Sequence, residues 1–365
     1  MKLGVGAALV DGRLLPGDVD IDGGVVRAVG RAGGARNGDI AVPGMIDLQV
    51  NGFAGVDLMA ADRDGYKRVG EALLATGTTA YQPTFVTAPE PLMLDALRAM
   101  PTDLVAPRVI GAHVEGPFLS PKRLGVHDSA GQAAPNLALL RRLLDAAPVS
   151  QVTLAPELPG AFELIDELVA RGITVSAGHT DATAAEAHLA FDRGVRTVTH
   201  LFNAMRHSTP RDPSIALAAL AHPDVIVQVI VDLHHVAPDT VMVAWQAASR
   251  RFALVTDAAP AAGMGDGEFV LGGRRIRAAD GVVRGPEGQL AGSALTMIDA
   301  VKNLHGLGVA LEDALRAASD VPARVAQRPD LGRIAPGAVA DVVVLDDRLD
   351  IRRVLVGGGE RVAGP

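Results

Sequence analysis

The chain of 365 residues carries 34 basic against 42 acidic side chains, a formal net charge of −8, and 48% of it is hydrophobic. That apolar content can bury a large core, which excludes disorder, and the acidic balance argues against nucleic acid or an anionic membrane as partner. With no cysteine there is no disulfide framework, thiolate-ligated zinc, iron–sulfur cluster or thiol nucleophile, so any metal must be held by histidine and carboxylates.

The first forty residues hold short apolar runs at 5–10, 19–21 and 25–29, separated by Asp-Gly and Gly-Gly pairs that mark tight hairpins. The far end repeats the pattern at 340–345 and 352–356, followed by Gly357, Gly358 and Gly359. Both ends therefore predict one small β-sandwich domain built from residues 1–43 and 335–365. The apolar run after Lys2 is cut by Asp11 before a signal-peptide core is complete, and no stretch approaches 18 uninterrupted apolar residues. The expectation is a soluble, cytoplasmic protein with no membrane span.

Residues 44–334 alternate strand-like and helix-like segments. Strands are predicted at 44–50, 78–85, 108–114, 152–156, 173–177, 197–200, 225–231 and 252–256. Helices are predicted at 64–75, 91–99, 137–147, 162–170, 182–193, 215–221, 238–250 and 295–304. Eight such units in a row predict an α/β fold, a (β/α)8 TIM-like barrel. A doubly wound sheet is the competing architecture, but no Gly-x-Gly-x-x-Gly turn follows the first strand. Between 268 and 290 the helical pattern lapses into short runs with Gly and Asp-Gly turns, which predicts a β-hairpin insertion after strand eight.

In such barrels the chemistry lies where strands end and the following loops begin. Strand three runs into Glu115, strand five into His179, strand six into His200, strand seven into His234 and His235, and strand eight into Asp257. Random placement would scatter the histidines over helices too. Glu115, His179 and His200 form a His2Glu set suited to one catalytic divalent ion with a position left for water. A lone histidine at such a place is more often a hydrogen-bonded core residue, but a carboxylate following an apolar strand needs a partner. Asp257 either caps a turn or serves as general base toward water and then as acid toward the leaving group. His127 and His235 are weaker candidates. Arg211, in the Pro-Arg-Asp-Pro loop, can hold an anion, although an exposed Arg beside Asp is ordinarily a solvated pair.

Six stretches resemble one family, the N-acetylglucosamine-6-phosphate deacetylases of the amidohydrolase superfamily. They are residues 43–52 (PGMIDLQVNG), 113–117 (HVEGP), 176–180 (SAGHT), 199–205 (THLFNAM), 254–257 (LVTD) and 290–297 (LAGSALTM). They stand in the family's order over about 250 residues, and THLFNAM is the most specific. The resemblance implies metal ligation by Glu115, His179 and His200, and catalysis by Asp257 with His127 polarising the amide carbonyl. It places Asn203, Ala204, His235, Ala294 and Leu295 on the substrate, with Arg211 reaching the phosphate from a neighbouring subunit.

The same resemblance implies an amino-sugar phosphate substrate and a homodimer, or a larger assembly of dimers. The expected metal is zinc, with iron, cobalt or manganese as alternatives. One departure bears on metal number: where much of the superfamily has His-x-His on strand one, this chain has Gln49 and Asn51. Amides are poor ligands for such metals, so one ion per chain is expected. Two other readings stay open: an amidohydrolase acting on another amide, and a barrel serving as a non-catalytic scaffold.

Overall fold

The computed structural model describes residues 1–30 and 38–363. Its centre is a parallel barrel whose eight strands, in order, are Met45–Val50, Thr78–Val86, Ala112–Glu115, Val149–Leu154, Thr174–Ala177, Thr197–Val198, Ile226–Val229 and Phe252–Leu254. Each pairs in parallel with the next from the first through the eighth. The first, second, third and fifth are buried along their whole length. This follows from covering both faces of a parallel sheet, and it buries the polar residues that alternate along them, among them Asp47, Gln49, His113, Glu115 and Ser176.

The helices between the strands start where the sequence provides caps. Asp62 accepts from the Gly65 N–H at 2.8 Å ahead of the helix Arg63–Ala75. Thr183 and Glu186 form a reciprocal capping box on the helix Ala184–Asp192. The apolar faces of these helices close over the barrel in one continuous core that also takes in Leu9, Val42, Val343 and Val354 from the terminal strands.

Among the described residues no ladder joins the eighth strand to the first; side chains and the isolated bridge of Val50 with Ala258 make that seam. Asp47, fully buried, accepts from the Thr256 N–H at 3.2 Å and the Thr256 hydroxyl at 2.5 Å. Burial pushes its carboxyl up to about 7, against the lowering effect of the Thr256 and Gln49 hydrogen bonds. Just beyond, the Asn51 and Gly52 N–H groups both donate to the Ala258 carbonyl.

The two ends of the chain share a six-stranded sheet in the order Arg13–Pro16, Ala7–Val10, Ile40–Pro43, Val342–Leu345, Ile351–Val356, Gly359–Ala363. A separate pair, Asp18–Asp22 with Val25–Gly30, lies against it over Val5, Val19, Ile21, Val26, Val342 and Leu355. The central strand Ile40–Pro43 joins the halves, parallel to Ala7–Val10 and antiparallel to Val342–Leu345.

Three details differ from the sequence reading. The strand expected at 108–114 is two, because Gly111 adopts φ +102° and a Cβ there would lie 2.6 Å from the Ser150 side chain. The insertion is a three-stranded antiparallel sheet, Gly267–Leu271, Arg274–Ala279 and Val282–Arg284, rather than a hairpin. Two further helices, Leu311–Ala317 and Asp320–Val325, follow Met297–Gly306. No helix is long and apolar enough to cross a membrane among the described residues.

Candidate active site

Where the barrel strands end, the chain turns sharply. His179, His200, Ala204 and Asp257 all adopt left-handed backbone conformations, with φ of 48°, 30°, 50° and 51°. Non-glycine residues adopt this region at a cost, and its concentration at one end of the barrel points to a site that the surrounding packing enforces.

Three donors meet there. Glu115 Oε1 lies 3.0 Å from His200 Nε2 and 3.3 Å from His179 Nε2, and the two imidazole nitrogens are 3.1 Å apart. His179 Nδ1 donates to the Arg123 carbonyl at 2.8 Å, which leaves the Nε2 lone pair facing Glu115 in the neutral ring. Burial alone would raise the Glu115 carboxyl; the His179 and His200 rings against it, which donate to it when protonated, hold it well below the usual carboxylate range. Two neutral imidazole nitrogens and a carboxylate oxygen, all buried and within 4.8 Å of one another, fit the donor set of a divalent ion. Among the described residues this is the one His/Asp/Glu group with that geometry.

Gln49 and Asn51 complete the surroundings as donors. Gln49 Nε2 donates to Glu115 Oε1 at 3.1 Å, and Asn51 Nδ2 donates to Asp257 Oδ1 at 2.7 Å. Both amides thus orient carboxylates from strand one, the place where two histidines would bring a second metal. Burial first, and the Glu115 charge second, push the Asp257 carboxyl up to about 6, so a modest change of surroundings moves it across the neutral range.

His127 stands over this group, with Nε2 3.6 Å from Glu115 Oε2. Its Nδ1 accepts from the Thr87 N–H at 3.0 Å, which fixes the proton of the neutral ring on Nε2. Burial and the neighbouring His179 push its pKa down to about 3, so the ring is a neutral donor facing the cavity. On the far side, His235 Nδ1 pairs with Asp232 Oδ2 at 2.6 Å, leaving Nε2 toward the cavity. The cavity encloses about 360 Å³ and holds Glu115, His127, His179, His200, Asn203, Ala204, His235 and Asp257 on its walls.

The chain matches the amidohydrolase family over residues 40–361. The N-acetylglucosamine-6-phosphate deacetylase of Vibrio furnissii is 34% identical, over 92% of this chain and 88% of its own. The N-acetylgalactosamine-6-phosphate deacetylase of Escherichia coli O157:H7 is also 34% identical, over 88% of each. An Asp-to-Ala variant of the Mycobacterium smegmatis N-acetyl-D-glucosamine-6-phosphate deacetylase, solved with N-acetyl-D-glucosamine 6-phosphate, superposes with a TM-score of 0.93 at 34% identity, covering 98% of both chains. The chain belongs to the N-acetylglucosamine-6-phosphate deacetylase family of amidohydrolases.

Not every residue expected at this deacetylase site lies on the cavity wall. Arg211 is exposed and outside the cavity of its own chain. Ala294 packs against the insertion core and Leu295 is buried in the barrel core; the wall in that stretch is made by Gln289, Leu290 and Gly292. Their placement goes with the turn at Ser293, whose N–H donates to the Asp257 carbonyl and whose hydroxyl donates to the Thr256 carbonyl. Other contributors carried no readable signal: the Arg123 carbonyl and Thr87 N–H act through their backbones, and Lys122 on the wall sits in a loop without periodicity. Asp232 was legible as an Asp three residues before His235.

Proposed function

We propose that this chain hydrolyses the acetamide of N-acetyl-D-glucosamine 6-phosphate to D-glucosamine 6-phosphate and acetate. The observation that carries the reading is the meeting of Glu115, His179 and His200 beside Asp257 and His127, in a chain of this deacetylase family.

Glu115, His179 and His200 are the residues that would hold one divalent ion, zinc by the mixed nitrogen and oxygen donor set, with iron, cobalt or manganese as alternatives. When bound, such an ion polarises a carbonyl and makes water a nucleophile near neutral pH. Asp257 then takes the proton of the attacking water, as its hydrogen bond from Asn51 leaves the second carboxylate oxygen available. His127 Nε2–H donates to the carbonyl oxygen as negative charge builds on it. Asp257 returns the proton to the nitrogen as the C–N bond breaks, so the nitrogen leaves as a neutral amine, and the acid that remains gives up its own proton to become acetate. No residue forms a covalent bond to the acyl group.

Asn203, Ala204 and His235 face the sugar, with Asp232 holding His235 in orientation. Arg211, exposed on this chain, reaches the phosphate of a second copy in a cytoplasmic homodimer. Its planar fork suits phosphate oxygens. Acetate release from N-acetylglucosamine 6-phosphate, with elemental analysis giving one divalent ion per chain, is the expected result. A rate higher on N-acetylgalactosamine 6-phosphate would move the substrate to that of the Escherichia coli O157:H7 relative. No acetate from either would overturn the reading.

A further inference from the structure

The cavity has two unlike sides. The ends of barrel strands supply Glu115, His179, His200 and Asp257, all polar, while Val86, Val126 and Leu271 supply an apolar wall. Leu271 comes from the three-stranded insertion, at the end of the strand Gly267–Leu271.

These three apolar residues gather around His127. Val126 is its chain neighbour and packs against the insertion core that contains Leu271. Val86 precedes Thr87, whose N–H donates to His127 Nδ1 at 3.0 Å. The insertion is tied to the same place twice: Arg274 Nη1 donates to the His127 carbonyl at 3.2 Å, and the Gly272 N–H donates to Asp57 Oδ2 at 2.8 Å. Gly272 has φ +56°, and a Cβ on it would lie 2.8 Å from Val86 Cγ2, so the turn needs glycine to lie this close. The wall is therefore anchored rather than loosely draped.

The reaction above sets the amide carbonyl oxygen against His127 Nε2. The acyl methyl is bonded to the same carbonyl carbon, so it lies beside His127 as well. In a substrate otherwise made of hydroxyls, an amide and a phosphate, that methyl is the group with most to gain from an apolar surface. Resting on the proposed deacetylation, we propose that Leu271, with Val126 and Val86, forms the acyl wall and limits the length of the acyl chain that is hydrolysed. The insertion then sets acyl specificity while the barrel performs the chemistry.

An added methylene against a closed apolar wall is worth about 10–200-fold in discrimination. The test is kcat/KM on N-acetyl-, N-propionyl- and N-butyrylglucosamine 6-phosphate for wild type, Leu271→Ala and Val126→Ala, each checked for cooperative thermal melting. Wild type is expected to lose about ten-fold or more from N-acetyl to N-butyryl, and Leu271→Ala to recover about ten-fold or more of that ratio. A purely structural defect would lower all three substrates together. Should Leu271→Ala fail to fold, Val126→Ala gives the same readout on the same wall. A folded variant with the wild-type acyl ratio, or a wild type indifferent to acyl length, overturns the proposal. Wild type inactive on all three substrates would overturn the deacetylation itself, which is a separate result.

Discussion

Two cavities of similar size lie at opposite ends of the barrel. The one at the strand ends encloses about 360 Å³; the one at the strand starts, walled by Thr174, Arg196, Thr197, Asp224, Ile226 and Arg324, encloses about 380 Å³. Volume does not tell them apart, and both contain charge. What differs is how the charges are placed. At the floor, Arg324 is half exposed and paired with Asp320, an arrangement that surface solvation readily supports. At the mouth, Glu115, His127, His179 and His200 are buried and Asp257 is half-buried, and the groups around Glu115 converge to 3.0–3.6 Å. Four mouth residues also hold left-handed backbone conformations, each costing about 1–3 kcal/mol. Convergence and strain, rather than empty space, locate the chemistry.

That contrast can be broken from either end. The largest effect is expected from Glu115→Gln, which replaces the shared carboxylate by a neutral amide. It should lose the divalent ion by elemental analysis and lose turnover with it; a variant that kept its metal would show that the histidines suffice. Asp257→Asn is expected to keep the metal and lose roughly 10²–10⁴ in kcat, the range for a positioned general base. An emptied metal site would make Asp257 a ligand.

The wild-type pH profile refines the same assignment. Asp257 accepts a proton only when ionised, and burial pushes its pKa up to about 6, so kcat/KM should fall on acidification through that value. A bound dication favours the carboxylate and moves the limb below 6, never above it. A limb rising well above 6 would point to a different base. Arg211→Ala should cost about 1–3 kcal/mol on the phosphorylated sugar, the worth of charge-assisted hydrogen bonds, and little on unphosphorylated N-acetylglucosamine. Mixing Arg211→Ala with Asp257→Asn chains should restore part of the activity if the arginine serves the other subunit. The smallest effect belongs to the floor: Arg196→Ala should leave kcat/KM within about two-fold, as surface substitutions away from a site do.

How far the sequence carries depends on what kind of atom does the work. Glu115, His179, His200 and Asp257 were legible because side chains of scarce type recur at strand ends, and the barrel turns that recurrence into proximity. The strand Ile40–Pro43 was not among the predicted runs, since three apolar residues before a proline are too few to show a period, and pairing with both chain ends defines it. The helices Leu311–Ala317 and Asp320–Val325 are too short to show periodicity. Arg123 contributes through its carbonyl, a group every residue has. Ala294 and Leu295 lay in a motif of the right family, but the Ser293 turn decides which of its residues face the cavity.

The seam between the first and eighth strands bears on how the enzyme is made. Asp47 reaches Thr256 across 209 positions, and Asn51 reaches Asp257 across 206. A chain emerging from the ribosome therefore holds Glu115, His179 and His200, the proposed metal ligands, before it holds Asp257, the proposed base. Until Thr256 and Asp257 arrive, Asp47 and Asn51 lack these partners across the seam. Closing the barrel and orienting Asp257 therefore go together, and both wait until Thr256 and Asp257 have been made.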